Sequence, residues 1–114
     1  YEWVNSTAGL ENDPRLVRSG FRKHVITRWI YNNDNVVVTH DRINYLKSLR
    51  EDSRKIGRSY KRVEVLLAEP GYYDWQPSSN RTAIPDNAIE AGQNRNKTVH
   101  VCRFKLLDEY CVGM

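Results

Sequence analysis

The stretch HVITRWIYNNDNVVV, residues 24–38, carries the clearest fold signal in this sequence of 114 residues. Residues 25–31 are dense in β-branched and aromatic side chains, which suit a pleated, half-buried surface. Asn32-Asn33-Asp34-Asn35 follows, and asparagine and aspartate tolerate the left-handed backbone that tight turns need. Val36-Val37-Val38 then forms the second strand, which runs back beside the first. The pattern predicts an antiparallel β-hairpin.

The same order of residue types recurs near the other end, in TVHVCRFKLLDEYCVG, residues 98–113. Aligning the two stretches places Arg103 at the position of Arg28. Asp108-Glu109 takes the place of the asparagine-rich turn. We therefore predict a second hairpin and look for a repeat that includes both.

The repeat continues upstream, because a shift of 72 residues places Trp3 on Trp75 and Gly20 on Gly92 without a gap. After the glycine the second copy is three residues longer. In each copy we expect the tryptophan to start a strand and a polar segment to turn the chain. A short apolar strand then ends at the glycine, which supplies a turn. The two apolar pairs are Leu16-Val17 and Ala88-Ile89.

Duplication predicts the fold class: a mainly all-β, antiparallel domain of two pseudo-symmetric repeats. A unit too small to bury its own sheet face gains a core by pairing with a copy of itself. We expect the first repeat at 1–72 and the second, incomplete, at 73–114. The second copy has no counterpart of residues 40–70. We therefore expect either further chain beyond Met114 or a partner chain, such as another copy in a homo-oligomer, that supplies a strand beside residues 111–113.

The segment 41–57 leaves two alternatives open. Ile43, Leu46 and Leu49 recur every three residues, which fits a short amphipathic helix ending near Gly57. The basic residues of the same segment would equally suit a long hairpin. A strand from Arg62 to Ala68 follows, is predicted to close the first sheet, and stops at Pro70-Gly71.

The predicted core joins both copies. Trp3 and Trp75 hold equivalent places and bury large areas, so we interpret them as core anchors and not as sugar-stacking rings. The full set expected in the core is Trp3, Trp75, Val25, Trp29, Val63, Val65, Ile89, Val101 and Phe104.

Positive charge is concentrated between Arg42 and Arg62, where eight basic and two acidic residues give a net charge of +6, against +4 for the whole chain. We expect a solvated face there. An anion or nucleic-acid patch is the alternative, and nucleic acid is disfavoured because no helix-turn-helix, zinc-finger or ribonucleoprotein motif is present. No apolar run approaches the roughly 20 residues of a membrane span.

Three sequons, at Asn5, Asn80 and Asn96, favour a secreted over a cytoplasmic protein, since glycosylation acceptors matter on exposed loops of exported chains. A disulfide between Cys102 and Cys111 would fit the same compartment. That bond needs a turn near Leu106-Leu107, whereas the repeat places the turn near residues 108–109 and Cys111 opposite Leu106.

Catalytic and metal chemistry find little support in the sequence. His100, Cys102 and Cys111 would supply three zinc ligands, but a fourth is missing nearby. No nucleophile motif or phosphate-binding glycine loop occurs, and the three histidines are scattered. We expect a non-enzymatic protein with no cofactor and no metal.

The second copy resembles the tandem DM-nine repeat, a small β module found widely in insects and molluscs. The match reads YDWQPSS…IPDNAIEAG…VHVCRF. Its residues are Trp75, Pro85, Asn87, Ala88, Ile89, Gly92, Val101, Cys102 and Arg103, with Trp3, Gly20 and Arg28 in the first copy. The resemblance implies a two-repeat all-β domain with pseudo-twofold symmetry and, for some mollusc members, binding of mannose-type sugars.

Those members use an acid in the loop after the glycine and a lysine in a Pro-Gly-Lys turn after the next strand. Here the loops read Phe21-Arg22-Lys23 and Gln93-Asn94-Arg95, and the turn positions fall near 37–39 and 112–114. Neither the acid nor the lysine is present at these positions in either copy, so no sugar-binding residue is assigned.

Two functions of different class follow. The first is a recognition module that binds carbohydrate or pathogen surfaces in invertebrate defence. The second is a structural or assembly domain that binds other proteins and no small ligand.

Overall fold

The computed structural model describes residues 1–6, 10–76, 84–106 and 109–113. The chain is mainly antiparallel β, as predicted. Its strands are β1 (Glu2–Asn5), β2 (His24–Tyr31), β3 (Val36–Arg42), β4 (Tyr60–Leu67), β5 (Glu90–Asn94), β6 (Lys97–His100), β7 (Cys102–Leu106) and β8 (Glu109–Gly113). Helix α1 (Ile43–Glu51) and a 3₁₀ helix (Ser53–Ile56) separate β3 from β4, and a 3₁₀ turn (Leu10–Asn12) follows β1.

The first half of the chain, residues 1–72, forms a four-stranded sheet in the order β1-β4-β2-β3. The predicted hairpin of residues 24–38 is β2–β3, in which Ile30 pairs with Val36. Its turn is closed by a hydrogen bond from Tyr31 N to Asn35 O (2.8 Å), with Asp34 at φ 67°. Strand β4 pairs with β1 on one side and β2 on the other. The prediction that this strand closes the sheet is therefore wrong: it is an interior strand, and the edges are β1 and β3.

Both faces of this sheet are covered, because successive side chains of each strand point to opposite faces. One face carries the first core cluster: Val17, Ile26, Ile30, Val36, Val38, Leu66, Ala68, Ala91 and Val99. The other carries the second core cluster: Leu16, Val25, Leu46, Leu49, Val63, Val65 and Leu67. Hairpin β5–β6 covers the first face, and α1 covers the second.

The segment 41–57 is helical, which confirms the first of its two alternatives. Leu46 and Leu49 are buried in the second core cluster, and Ile43 packs against it. The 3₁₀ helix follows α1 directly and ends at Gly57, whose φ of 89° favours glycine. No helix among the described residues is long and apolar enough to cross a membrane.

In the second half, hairpin β5–β6 packs closely on the start of β3. A Cβ built on Gly92 would lie 2.8 Å from Cγ2 of Val36, and the φ of Gly92 is 128°. This glycine lies in β5 beside a register irregularity, so it permits close packing and does not supply the predicted turn. The turn residues are Arg95 and Asn96, both with positive φ.

Among the described residues, three segments that were predicted to be short strands before the glycines are not strands. Leu16 forms only an isolated bridge with Leu67, and the segments around Ala88-Ile89 and Trp75 are not strands. Trp3 does lie in a strand, because β1 pairs with β4. The described residues of the second half include no counterpart of β4, so the segment around Trp75 has no strand to pair with.

Most of the predicted core is confirmed. Val25, Val63 and Val65 are buried. Trp3, Trp75, Ile89 and Val101 pack half-buried against the first core cluster, and Trp29 packs against the second. Phe104 is the exception, since it is 53% exposed. Trp29 contacts Tyr60 of β4 edge to face at 4.8 Å, whereas the second half has no such strand among the described residues to cover Phe104.

Hairpin β7–β8 pairs Leu106 with Glu109, so residues 107–108, which lie outside the described residues, connect the strands. Of the turn predicted at 108–109, Glu109 instead lies in β8, and Asp108 lies outside the described residues. The further chain or partner strand expected beside residues 111–113 stays a prediction.

Candidate functional site

Two arginines at equivalent positions join the halves by reciprocal contacts. Arg28 Nη1 donates to the carbonyl of Ala91 (2.7 Å), and Arg103 Nη1 donates to the carbonyl of Ser19 (3.0 Å). Ala91 lies 72 residues after Ser19, and Arg103 lies 75 residues after Arg28, as the repeat alignment requires. Each half thus places its arginine on the residue that precedes the other half's glycine.

Each arginine also lies over the tryptophan of its own half. The guanidinium carbon of Arg28 is 4.9 Å from the ring centroid of Trp3, and that of Arg103 is 4.2 Å from Trp75. Such cation–π contacts contribute about 0.5–2 kcal/mol, more when water is excluded. The tryptophan and arginine landmarks of the alignment therefore contact each other within each half, and each arginine reaches the residue before the glycine of the other half.

A backbone hydrogen bond repeats in the same way. Ile26 N donates to Val17 O and Val101 N donates to Ile89 O, both at 2.9 Å. These are also equivalent positions in the alignment. One backbone hydrogen bond near each glycine thus occurs at equivalent positions, while Gly20 lies in a bend and Gly92 in a strand.

Arg28 makes one contact that the repeat does not explain. Its Nε and Nη2 both donate to Oε1 of Glu64, at 2.8 and 2.6 Å. The Glu64 side chain is only 10% exposed, and Arg62 Nε lies 3.4 Å from its other oxygen. A carboxylate so removed from water is stable only while it stays paired. Arg28 thus links β1, β2, β4 and β5.

Phe21, in the loop after Gly20, packs with His24 of β2 and His40 of β3. We call these three rings the ring cluster. Their centroids lie 4.7–5.2 Å apart. The loop is fixed by bonds from Phe21 N to Ser19 Oγ (3.1 Å) and from His24 N to Phe21 O (3.0 Å). This cluster was not identified from the sequence, because its members are separated along the chain. Its one signal was that residues 24 and 40 fall on the two strands of a predicted hairpin.

His40 of the ring cluster lies in an environment that disfavours its charged form. Burial lowers the pKa of His40 below its ordinary value, His24 lowers it further, and Asp41 acts in the opposite direction. Nδ1 of His24 is buried without a hydrogen-bond partner among the described residues.

His40 Nδ1 lies 2.9 Å from Ser19 Oγ, the kind of contact that activates a nucleophile. Ser19, however, is 0% exposed, so its hydroxyl cannot reach a substrate. The hydroxyl accepts from Phe21 N and can donate to neutral His40. We therefore assign the pair a structural role in holding the loop.

The second loop is the tip of hairpin β5–β6. Asn94 Nδ2 donates to the carbonyl of Val36 (2.9 Å), and Arg95 N donates to Oδ1 of Asn35 (3.2 Å). The tip therefore rests on the turn between β2 and β3. The side chains of Gln93, Arg95 and Asn96 are exposed.

The two family turn positions do not form turns here. Residues 37–39 lie inside β3, where Val38 is buried, and residues 112–113 lie in β8. Met114 is outside the described residues. Neither location presents a side chain at a loop tip, in agreement with the loss of the lysine.

The predicted disulfide between Cys102 and Cys111 stays a prediction. The register of hairpin β7–β8 pairs Cys102 with Gly113, and it pairs Cys111 with Phe104 and not with Leu106. Among the described residues no three histidine, cysteine, aspartate or glutamate side chains form a metal site.

The sequons lie in different settings. Asn5 is exposed at the end of β1, and Asn96 is exposed at the β5–β6 tip with φ 65°. Asn80 lies outside the described residues. Glycosylation at the three positions stays a prediction.

Comparison with known proteins agrees with the landmarks at the junction. The family model of the DM9 repeat matches residues 26–114, well over half of the chain. No curated protein and no solved structure matches the chain. The matched range includes Arg28, Trp75, Gly92 and Arg103. The chain therefore belongs to the DM9 repeat family.

Proposed function

We propose that the chain is a non-enzymatic recognition module for carbohydrate, with mannose-type glycans and pathogen surfaces in invertebrate defence as the ligands to test first. Membership of the DM9 repeat family indicates a binding module. The observation that carries the proposal is the pair of post-glycine loops, which present exposed polar side chains on a fixed backbone. Loops placed in this way by a rigid framework commonly carry binding residues.

In the first loop, Arg22 and Lys23 are exposed above the ring cluster, and Arg22 lies over the Phe21 ring at 5.3 Å. In the second, Gln93 and Arg95 are exposed at a tip held by two hydrogen bonds. A bound sugar would therefore meet cationic side chains in both loops and the side-chain amide of Gln93 in the second.

We also propose that the module consists of two related halves, 1–72 and 73–114. The reciprocal arginine contacts and the repeated backbone bond support this division. An experimental structure in which the two hairpins and their preceding glycines failed to superpose would contradict it.

A glycan array with a mannan column tests the carbohydrate proposal. We expect retention of the intact chain, lost in Lys23→Ala and Arg95→Ala and kept in Lys97→Ala, an exposed cation beside the second loop. Absence of binding to every neutral glycan, or equal loss in all three variants, would contradict it.

A second function, an assembly domain, is favoured by the exposure of Phe104 and by β7, which pairs only with β8 among the described residues. A strand from a partner protein could add to β7 through main-chain hydrogen bonds. If so, Phe104→Ser should weaken association at least about tenfold in native mass spectrometry while glycan retention stays unchanged. An unchanged oligomeric state and partner set in that variant would contradict this function.

A further inference from the structure

The cations of segment 42–62 divide into two groups. Three pair with carboxylates: Arg54 with Asp52 (3.1 Å), Lys61 with Asp34 (3.0 Å) and Arg62 with Glu64 (3.4 Å). The remaining five are exposed and, within the described parts of the chain, have no carboxylate partner. These are Arg42, Lys47, Arg50, Lys55 and Arg58, which we call the cationic face.

Lys47, Arg50 and Lys55 of the cationic face lie on one helical segment, whereas Arg42 is the last residue of β3 and Arg58 follows the 3₁₀ helix. Lys47 and Arg50 are three residues apart on α1 and therefore neighbours on its surface. The 3₁₀ helix folds back on α1, with Lys55 Nζ bonded to the hydroxyl of Ser48. Leu46 and Leu49 fix the segment on the second core cluster, so the charges stand on a rigid support.

A crevice of about 210 Å³ opens beside this face, between α1, the end of β1 and β4. Its apolar lining comes from Leu46, Leu49, Ile56 and Val63, and its polar lining from Arg50, Lys61, Arg62, Asn5 and Ser6. A sugar ring offers C–H groups and polar substituents together. Guanidinium binds a sulfate or carboxylate through paired, charge-assisted hydrogen bonds.

We infer that the cationic face binds an anionic polysaccharide, a polymer of sulfated or uronic-acid sugars, with one sugar in the crevice beside Arg50. The inference rests on the proposed function only in taking carbohydrate as the ligand. It adds a second site, distant in sequence from the post-glycine loops, and the class of sugar that this site takes.

Other polyanions fit this surface less well. Single-stranded nucleic acid binds through stacking of bases on aromatic rings. Within the described part of segment 42–62, Tyr45 is the exposed aromatic residue, while the Tyr60 ring packs against Trp29 and Tyr31. An anionic membrane needs an apolar helix face to insert, and that of α1 is buried against the sheet.

The test measures binding of the full chain to a heparin-derived oligosaccharide by calorimetry at several salt concentrations. The double variant Lys47→Gln/Arg50→Gln removes two charges of the face. Arg18→Gln/Lys97→Gln is the matched control, because it removes one exposed arginine and one exposed lysine elsewhere. Melting temperatures of both variants serve as a check of folding.

We expect the first variant to bind about tenfold or more weakly, and its plot of log affinity against log salt to lose roughly two units of slope. The control should bind within about twofold of the parent. Equal losses in the two variants would show a response to net charge alone and overturn the inference. So would tighter binding of single-stranded DNA of the same charge, or no binding of the oligosaccharide at low salt.

The outcome is separable from that of the proposed function. Failure of neutral-glycan binding leaves the oligosaccharide measurement intact, since Lys23 and Arg95 are unchanged in both double variants. Dextran sulfate, polygalacturonate and uncharged dextran form the comparison series. Binding of uncharged dextran as tightly as dextran sulfate would also overturn the inference.

Discussion

The two halves of the chain carry the same order of residue types and differ in what covers them. In the first half, β2 lies between β3 and β4, and both faces of the sheet are buried. In the second half, β7 pairs with β8 alone within the described residues. Trp29 is packed in the first half, while its counterpart Phe104 is half exposed. Strand-forming residues are therefore enough to form a hairpin in each half. Residues 40–70 of the first half supply α1 and β4, which bury its hairpin, and the second copy has no counterpart of them.

The largest expected effect concerns the arginines at the junction. Arg28→Ala should lower the free energy of unfolding by about 3–5 kcal/mol, because Glu64 would lose its closest cation while remaining buried. Arg103→Ala removes a ring contact and a carbonyl bond, and should cost about 1–2 kcal/mol. Urea denaturation followed by circular dichroism measures both. Equal losses would mean that the Glu64 pair adds nothing to the contrast between the halves.

The aromatic pair gives the next effect. Trp29→Ala should cost about 3 kcal/mol, because its ring packs against the second core cluster and its Nε1 donates to Asp41 (3.0 Å). Phe104→Ala should change stability by less than about 0.5 kcal/mol, as for an exposed position. Thermal melting of the two variants checks the difference. A large loss for Phe104→Ala would show that another part of the molecule covers this ring.

A smaller effect is expected at the glycines. Gly92→Ala should cost about 2 kcal/mol or more, because its Cβ would meet Val36 and its φ is strained for alanine. Gly71→Ala is the control, with a similarly positive φ of 88° and no atom within 4 Å, and should cost about 1 kcal/mol. Identical losses would indicate that hairpin β5–β6 does not press on β3.

The smallest effect is a pH dependence confined to the first half. The pKa of His40 is lowered from 6.5 in the folded state, so the unfolded state binds more protons below that pH. Stability should be full above about pH 6.5 and decrease as pH falls through the folded pKa. His40→Gln should flatten this slope between pH 7 and 5, as measured by urea denaturation at a series of pH values. An increase in stability on acidification would contradict the sign.

The sequence predicted those features that depend on local pattern. Hairpin β2–β3, its turn at residues 32–35 and the strand at β4 follow from residue type and spacing, and helix α1 was one of the two alternatives that they left open. Position in the sheet was not predictable: nothing in residues 60–67 indicates an interior strand, since a buried strand and an edge strand can share composition. The exposure of Phe104 has the same cause, because burial depends on a neighbour distant in sequence.

The candidate site shows the same division. Alignment identified Arg28, Arg103 and the glycines as landmarks, but not that each arginine crosses to the other half. The ring cluster was missed because its members come from a loop and two strands. The cationic residues were visible as a charge run, yet only the structure separates the paired ones from the cationic face.

The position of β1 has a consequence for the rate of folding. Trp3 Nε1 donates to Glu90 O (2.9 Å), Tyr1 Oη accepts from Glu90 N (3.2 Å), and Trp3 pairs with Leu66. The two hydrogen bonds to Glu90 join residues that are 87 and 89 positions apart in the sequence. Closing such loops costs entropy before any contact compensates for it, which slows folding. During synthesis β1 therefore cannot complete its contacts until β4 and then β5 have left the ribosome, although β1 is made before both.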